Sequence, residues 1–249
     1  MIPVKTSAQL DKMRLAGRIT GDTLRYIEQF VKPGISTLEL DRLIEEFIRS
    51  QGAIPNFKGL YGFPGSACIS IDDVVVHGIP SPTTVLQEGQ IVSIDVGAKI
   101  DGFNGDAART FPVGRISGQK QRLIEVTKQS FFEGIKQARA GRRVGDISHA
   151  IQAHVEANGF SVVRAMVGHG IGRKLHEDPS VPNYGAPGCG PLLKAGYCLA
   201  IEPMVNVGSY DVEISQLDGW TCRTIDKKPS AHYENTVIIT NEDAEILTL

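Results

Sequence analysis

A single shift of 107 residues lays the second half of this 249-residue chain on its first. Gly34 falls on Gly141, Gly52 on Gly159 and Gly89 on Gly196, while Leu40, Ile44, Ile48 and Leu86 fall on Ile147, Ile151, Val155 and Leu193. The same shift carries Ile94 to Ile201 and Asp95 to Glu202. One offset holding across two helix stops and an acidic strand residue implies a duplicated helix–helix–strand unit, its halves facing each other across a pseudo-twofold axis. Glycine and proline are scattered rather than clustered, which leaves no linker between independent domains. The expected organisation is one domain over 1–249, with pseudo-repeats at about 7–112 and 119–240.

Local patterns fill in each repeat. Thr6 or Ser7 is positioned to cap a helix whose apolar positions, Leu10, Met13, Ala16, Ile19, Leu24 and Ile27, recur at helical spacing until Pro33-Gly34 breaks it. Thr37 opens a second helix, with Leu40, Leu43, Ile44, Phe47 and Ile48 on one face and Gly52 at its stop. A glycine-rich loop from Gly59 to Gly65 leads into strands over Ala67–Ile71, Val74–Val76 and Gln90–Val96. The last of these turns through Lys99-Ile100-Asp101-Gly102 into a partner strand ending near Phe111. The second repeat predicts helices over Gln119–Ala140 and Asp146–Asn158.

Four acids sit where strands should be buried. Asp95 lies inside Ile91-Val92-Ser93-Ile94-Asp95-Val96, Glu202 closes Cys198-Leu199-Ala200-Ile201-Glu202, Glu234 precedes Thr236-Val237-Ile238-Ile239, and Asp106 sits in Gly105-Asp106-Ala107-Ala108. An unpaired carboxylate in such surroundings costs several kcal/mol or is driven to protonate. For one acid alone, a Lys or Arg partner or a wet strand end is the simpler reading. The symmetric pairing of Asp95 with Glu202 favours cations for the set, and two divalent ions would neutralise four carboxylates. One imidazole is available in Val167-Gly168-His169-Gly170-Ile171-Gly172, where glycines let backbone approach closely. Oxygen ligands with one nitrogen suit Mn, Fe(II) or Co, and zinc stays open.

Composition narrows the rest. Hydrophobic residues make up 41% of the chain, and a net charge of −2 argues against binding DNA or RNA through bulk charge. No apolar run is long enough for a membrane span, and the N-terminus lacks the apolar core of a signal peptide. Cys68, Cys189, Cys198 and Cys222 show no Cys-x-x-Cys spacing, as expected of reduced thiols in a cytoplasmic protein. Lys136, Arg139, Arg142 and Arg143 are expected to cluster at a helix C-terminus, where the dipole favours cations. A transient ribosomal RNA contact is the sharper reading of that cluster. His149 and His154 are expected on the surface.

Five segments together resemble the type I methionine aminopeptidases of bacteria, which share the pita-bread fold of the creatinase-like peptidases. They are Val74–Pro80 (VVVHGIP), Ser93–Phe111 (SIDVGAKIDGFNGDAARTF), Gly168–Pro179 (GHGIGRKLHEDP), Ile201–Val205 (IEPMV) and His232–Thr240 (HYENTVIIT). The resemblance runs from about Met1 to Thr240. It implies an α/β (α+β) fold in which the helix–helix–strand halves surround a curved antiparallel sheet carrying two divalent metals. The five family ligands fall on Asp95, Asp106, His169, Glu202 and Glu234. Asp95 would hold one metal, His169 and Glu202 the other, with Asp106 and Glu234 shared. The methionine pocket would lie around Phe57, Phe63, Cys68 and Trp220. The short segment before the first helix leaves no room for the extra N-terminal domain of proline-specific relatives. The 32 residues between His169 and Glu202 leave none for the type II helical insertion.

The implied reaction is hydrolytic removal of the N-terminal Met from nascent polypeptides whose second residue is small and uncharged. Glu202 would take a proton from water activated by the metals, His176 would hydrogen-bond the scissile carbonyl oxygen, and His77 would contact the peptide nitrogen. The enzyme is expected to be a cytoplasmic monomer that contacts no DNA and no membrane. Two rivals are a proline-specific peptidase on the same fold and a non-catalytic member that binds a partner. Three positions depart from the commonest family pattern. Leu60 and Leu175 stand where aromatics occur near the pocket. His232 stands where Gln is usual, sharing Glu234's strand face; it serves beside the metals or the substrate, or is a plain hydrogen-bonded histidine.

Overall fold

The computed structural model describes residues 2–249. Helix α1 spans Ser7–Glu28 and α2 Thr37–Ser50. Strands β1 (Ile54–Pro55), β2 (Ala67–Ile71), β3 (Val74–Val76), β4 (Ile91–Ile100) and β5 (Phe103–Pro112) follow. Helices α3 (Gly118–Ile135) and α4 (Val144–Ala157) open the second half. They are followed by β6 (Ser161–Val162), β7 (Gly168–Gly170), β8 (Glu177–Val181), β9 (Cys198–Ile201) and β10 (Met204–Asn206). The chain ends with β11 (Val212–Ile214), β12 (Cys222–Thr224), β13 (Ser230–His232), β14 (Asn235–Ile238) and β15 (Glu245–Ile246).

Local chemistry fixes the boundaries. Thr6 caps α1 in a reciprocal box with Gln9, Ser36 caps α2, and Ser117 caps α3. Asp101 and Gly102 both take positive φ, 51° and 77°, in the two-residue turn that pairs Ile100 with Phe103. That is the hairpin geometry an Asp-Gly pair favours. Asp95 therefore lies mid-strand in a ten-residue antiparallel ladder.

Three expectations are corrected. Helix α3 stops at Ile135, five residues short of Ala140, because Arg139 leaves the helix to bridge Thr240 beside β14. The basic residues are thus not one helix C-terminus: Arg143 is the N-cap of α4, where the dipole disfavours a cation. His154 is half-buried, with Nε2 enclosed and unpartnered, whereas His149 is exposed.

Two cores follow the two halves. One packs α1 and α2, through Ile19, Ile27, Leu40 and Ile44, onto Val92, Ile94 and Val96. The other packs α3 and α4, through Leu123, Phe131, Ile147 and Ile151, onto Leu199, Ile201 and Val237. A third cluster draws Met13, Phe63, Phe103, Ile171, Cys198 and Ile238 from both halves and forms the seam. Among the described residues the named strands all pair antiparallel. β4 pairs with β1, β2 and β5, and the second half builds the order β15-β14-β9-β7-β8. Side-chain and main-chain bonds stitch the two: Asp106 N–H to Thr236 Oγ1 (3.0 Å), Glu234 N–H to the Ala108 carbonyl (3.0 Å), and His232 N–H to Thr110 Oγ1 (2.9 Å).

Candidate active site

Strand register alone brings the acids together. Asp95 pairs with Cys68 on one side and Ala108 on the other, and Gly97 pairs with Asp106. Asp95 and Asp106 are therefore diagonal neighbours on one face. In the second half His169 and Thr236 both pair with Ala200, and Asn235 pairs with Ile201. Met204 pairs with His232 in the same register, so Glu202 lies opposite Glu234 and diagonal to His232. The stitching of β5 to β14 turns the two faces toward one cavity.

That cavity has a volume of about 220 Å³. Asp95, Asp106, His169, Glu202 and Glu234 form its floor, and His77 and His176 stand at its sides. Phe57, Phe63, Cys68 and Trp220 line its apolar wall. All eleven residues expected from the sequence thus surround one space. Leu60, Leu175 and Tyr61 join them. Tyr61 was not anticipated; its ring lies parallel to that of His176, with centroids 6.2 Å apart. An aromatic inside the Gly59–Gly62 loop was the available signal.

The carboxylates lack ordinary partners. Asp106 and Glu234 are 4% and 2% exposed. Asp95 Oδ1, Asp106 Oδ1 and Glu234 Oε1 are buried with no hydrogen bond, and no Lys or Arg nitrogen reaches any of the four acids among the described residues. The simple ion-pair reading is thereby excluded. Burial, and then mutual repulsion, push Asp95 and Glu234 well up from the usual carboxylate range. Asp106 is raised by burial too, though His169 offsets part of the effect.

His169 Nδ1 donates to the Gly170 carbonyl at 2.9 Å, which turns Nε2 toward Asp106 Oδ2 (3.5 Å) and Glu202 Oε1 (3.7 Å). Burial disfavours its charged form, but Asp106 and Glu202 outweigh that and bring it to about 9. His176, edge-on to His169 with centroids 4.5 Å apart, is pulled down to about 4 by desolvation and then by that neighbour. Burial likewise lowers His77.

His77 follows β3 in a left-handed conformation (φ 60°). Gly78 follows because a Cβ there would lie 2.2 Å from the Ile69 carbonyl oxygen. Pairing of Cys222 with Val76 brings Trp220 to His77, ring centroids 6.1 Å apart, and Phe63 meets Trp220 edge-on at 5.2 Å. Burial and the Asp95 charge raise the Cys68 thiol well above its usual range, so it lines the wall as a neutral group. All four cysteines are free.

The donor set fits divalent cations. It offers several carboxylate oxygens and at least one imidazole, converging from both halves, with charges that no Lys or Arg among the described residues balances. Two groups, Asp106–His169–Glu234 and Glu202–His232–Glu234, place all their ligand atoms within 4.8 Å of one another.

Comparison with known proteins agrees with this chemistry. Residues 11–241 match the profile of metallopeptidase family M24. The chain is 58% identical to the methionine aminopeptidase of Clostridium perfringens over 249 residues, covering 100% of this chain and 99% of that one. It is 52% identical over 248 residues to methionine aminopeptidase 1 of Bacillus subtilis, with the same coverage. The crystal structure of the methionine aminopeptidase from Rickettsia prowazekii superposes with a TM-score of 0.98 at 45% identity, covering both chains fully. Its pita-bread α/β architecture is the one found here. The chain belongs to metallopeptidase family M24 and, within it, to the methionine aminopeptidases.

Proposed function

We propose that this chain hydrolyses the peptide bond after the N-terminal Met of nascent proteins when the second residue is small and uncharged. The observation that carries the reading is the floor of buried, unpartnered carboxylate oxygens beneath an apolar slot. Asp95, Asp106, His169, Glu202 and Glu234 would hold two divalent cations, from among Co, Mn, Fe(II) and Zn, with the whole chain acting as one catalytic domain of two pseudo-repeats. When bound, such ions polarise a carbonyl and lower the pKa of water from ~15.7 toward neutrality.

The chain's own groups divide the remaining work. Phe57, Phe63, Cys68 and Trp220 enclose the methionine side chain and exclude water from it. Glu202 takes the proton of the attacking water, since its side chain is less enclosed than those of Asp106 and Glu234 and lies among the imidazoles. His176, held neutral at pH 7, offers an N–H to the scissile carbonyl oxygen as negative charge builds there. His77, fixed by its left-handed turn, contacts the peptide nitrogen and orients it.

Among the described residues, no helix is long and apolar enough to cross a membrane. A cytoplasmic monomer meeting new chains as they emerge is the setting this function needs. The exposed Arg139 and Arg142, beside Gly141, supply a surface for transient ribosome contact.

A peptidase assay on chelator-stripped protein tests the reading, with Mn, Fe(II), Co and Zn restored separately. Met-Gly-Met should be cleaved only after metal is returned, and Ala-Pro peptides should be poor substrates. Preference for Ala-Pro would favour a proline-specific peptidase, and no turnover with any metal would favour a non-catalytic binding protein.

A further inference from the structure

His232 is 1% exposed, and neither of its ring nitrogens has a hydrogen-bond partner. Its main chain is pinned on both sides: its N–H donates to Thr110 Oγ1 at 2.9 Å, and Thr110 Oγ1 donates to its carbonyl at 2.9 Å. The expectation of a plain hydrogen-bonded histidine is therefore not met. Nε2 instead faces Glu202 Oε2 at 3.6 Å and Glu234 Oε2 at 4.0 Å.

Those separations are too long for hydrogen bonds. At octahedral or tetrahedral angles, bonds of about 2.0–2.2 Å leave neighbouring donor atoms about 2.8–3.6 Å apart. The Glu202 separation thus already suits ligands of one ion, and the Glu234 separation needs to close by only a few tenths of an ångström. His169 shows the same spacing, with Nε2 at 3.5 and 3.7 Å from Asp106 Oδ2 and Glu202 Oε1. Glu202 thus has one imidazole facing each of its oxygens.

We propose that His232 Nε2 is a direct ligand to a divalent cation shared with Glu202 and Glu234, a nitrogen ligand additional to His169. The proposal rests on the dinuclear reading above. A neutral imidazole adds a bond without adding charge to a floor that already carries four carboxylates. It also makes the centre softer, so borderline ions such as Co(II) and Zn(II) gain over Mn(II).

Proton NMR of the unmodified protein loaded with Co(II) tests this directly. Two solvent-exchangeable imidazole N–H signals shifted by the paramagnetic ion are expected, from His169 and His232. His232→Gln should leave one, and should weaken Zn(II) binding at least tenfold more than Mn(II) binding in calorimetric titrations. A single shifted imidazole signal in the unmodified protein would overturn the proposal and leave His232 as a positioning residue, with the dinuclear reading intact. So would equal weakening of Zn(II) and Mn(II), or none, in a His232→Gln protein that unfolds at the temperature of the parent. Failure of Co(II) to bind at all would overturn both.

Discussion

Thr236 Oγ1 accepts the backbone N–H of Asp106 at 3.0 Å and donates to the carbonyl of the same residue at 2.9 Å. One hydroxyl from the second half thereby satisfies both main-chain groups of a floor carboxylate in the first half. Thr236 is fully buried, so no water can replace it. Thr236→Val should leave both groups unpaired and cost about 2–4 kcal/mol in urea unfolding. Thr236→Ser should cost about 1 kcal/mol, the loss of a buried methyl. Equal losses for the two would show that the hydroxyl is not what joins the halves here.

Stability of the metal-free protein should fall as pH rises from about 6.5 to 9, and added metal should abolish the trend. Asp95, Asp106 and Glu234 have raised folded-state values, so the folded chain holds protons that the unfolded chain has released. His169, raised to about 9, acts in the same sense: its contribution is complete below its unfolded value of about 6.5 and is lost as pH passes 9. His176, lowered to about 4, and His77 act oppositely, but only below about pH 6.5. Thermal melts in chelator at pH 6.5, 7.5 and 8.5 would measure the slope. A flat or rising profile would mean that the floor carboxylates are satisfied without cations.

How much of this was legible beforehand depended on how local the cause was. The Asp101-Gly102 turn, the Thr6 cap, the helix start at Thr37 and the acids in apolar strands are short-range signals, and each is found where the sequence placed it. The end of α3 was not legible, because Thr240, more than a hundred residues on, captures Arg139. The same holds for Arg109. Its guanidinium donates to the Glu234 carbonyl and to Asn235 Oδ1 while lying 4.2 Å from the Tyr233 ring centre. Nothing near Arg109 in sequence indicates that it clamps the strand carrying Glu234. His232 lies between: strand alternation put it on Glu234's face, but only the fold shows that its ring has no partner.

The two pocket histidines should separate kinetically. His176→Ala should lower kcat by about 10²-fold or more with KM little changed, because its hydrogen bond strengthens only as the oxyanion forms. His77→Ala should also slow turnover, and Gly78→Ala should do so without touching a reactive group. The added methyl meets the Ile69 carbonyl oxygen at 2.2 Å and must displace the turn that aims His77. Near-normal kinetics for both His77→Ala and Gly78→Ala would remove His77 from the mechanism.

On the proposed dinuclear reading, removing a carboxylate shared by both ions should be more severe. Asp106→Ala and Glu234→Ala should each reduce turnover to less than about a tenth and diminish the rise in melting temperature that metal confers on the parent. The metal-free Asp106→Ala protein should also lose part of its pH slope, since one member of the repelling set is gone. Retention of the parent's metal-induced shift in Asp106→Ala would show that this carboxylate is not a ligand.

Specificity follows from the wall. Phe57 and Phe63 flank Gly59 and Gly62 in the loop that leads to Cys68, and Trp220 closes the opposite side against Phe63 and His77. An unbranched thioether can thread such a slot, and its sulfur gains about 0.3–1.5 kcal/mol against an aromatic ring. Leucine is shorter by one atom and branched, a difference worth about 1–3 kcal/mol in an apolar pocket, so Leu-Ala peptides should react about 10- to 200-fold more slowly than Met-Ala peptides. Leu60 and Leu175, in place of aromatics, put aliphatic side chains that can adapt to a branch into the lining, which keeps discrimination within that range. Trp220→Ala removes the closing wall and should narrow the Met-to-Leu ratio chiefly by slowing Met peptides. In the proposed reaction the second residue would lie beside His77, and the family resemblance implies that Gly, Ala, Ser, Thr, Cys, Pro or Val should be accepted there and Lys, Arg, Leu or Phe rejected. A panel of Met-X-Met peptides measures this directly. Equal rates for Met-Ala-Met and Met-Arg-Met, or faster cleavage of Leu-Ala than of Met-Ala, would mean that this wall does not select the substrate.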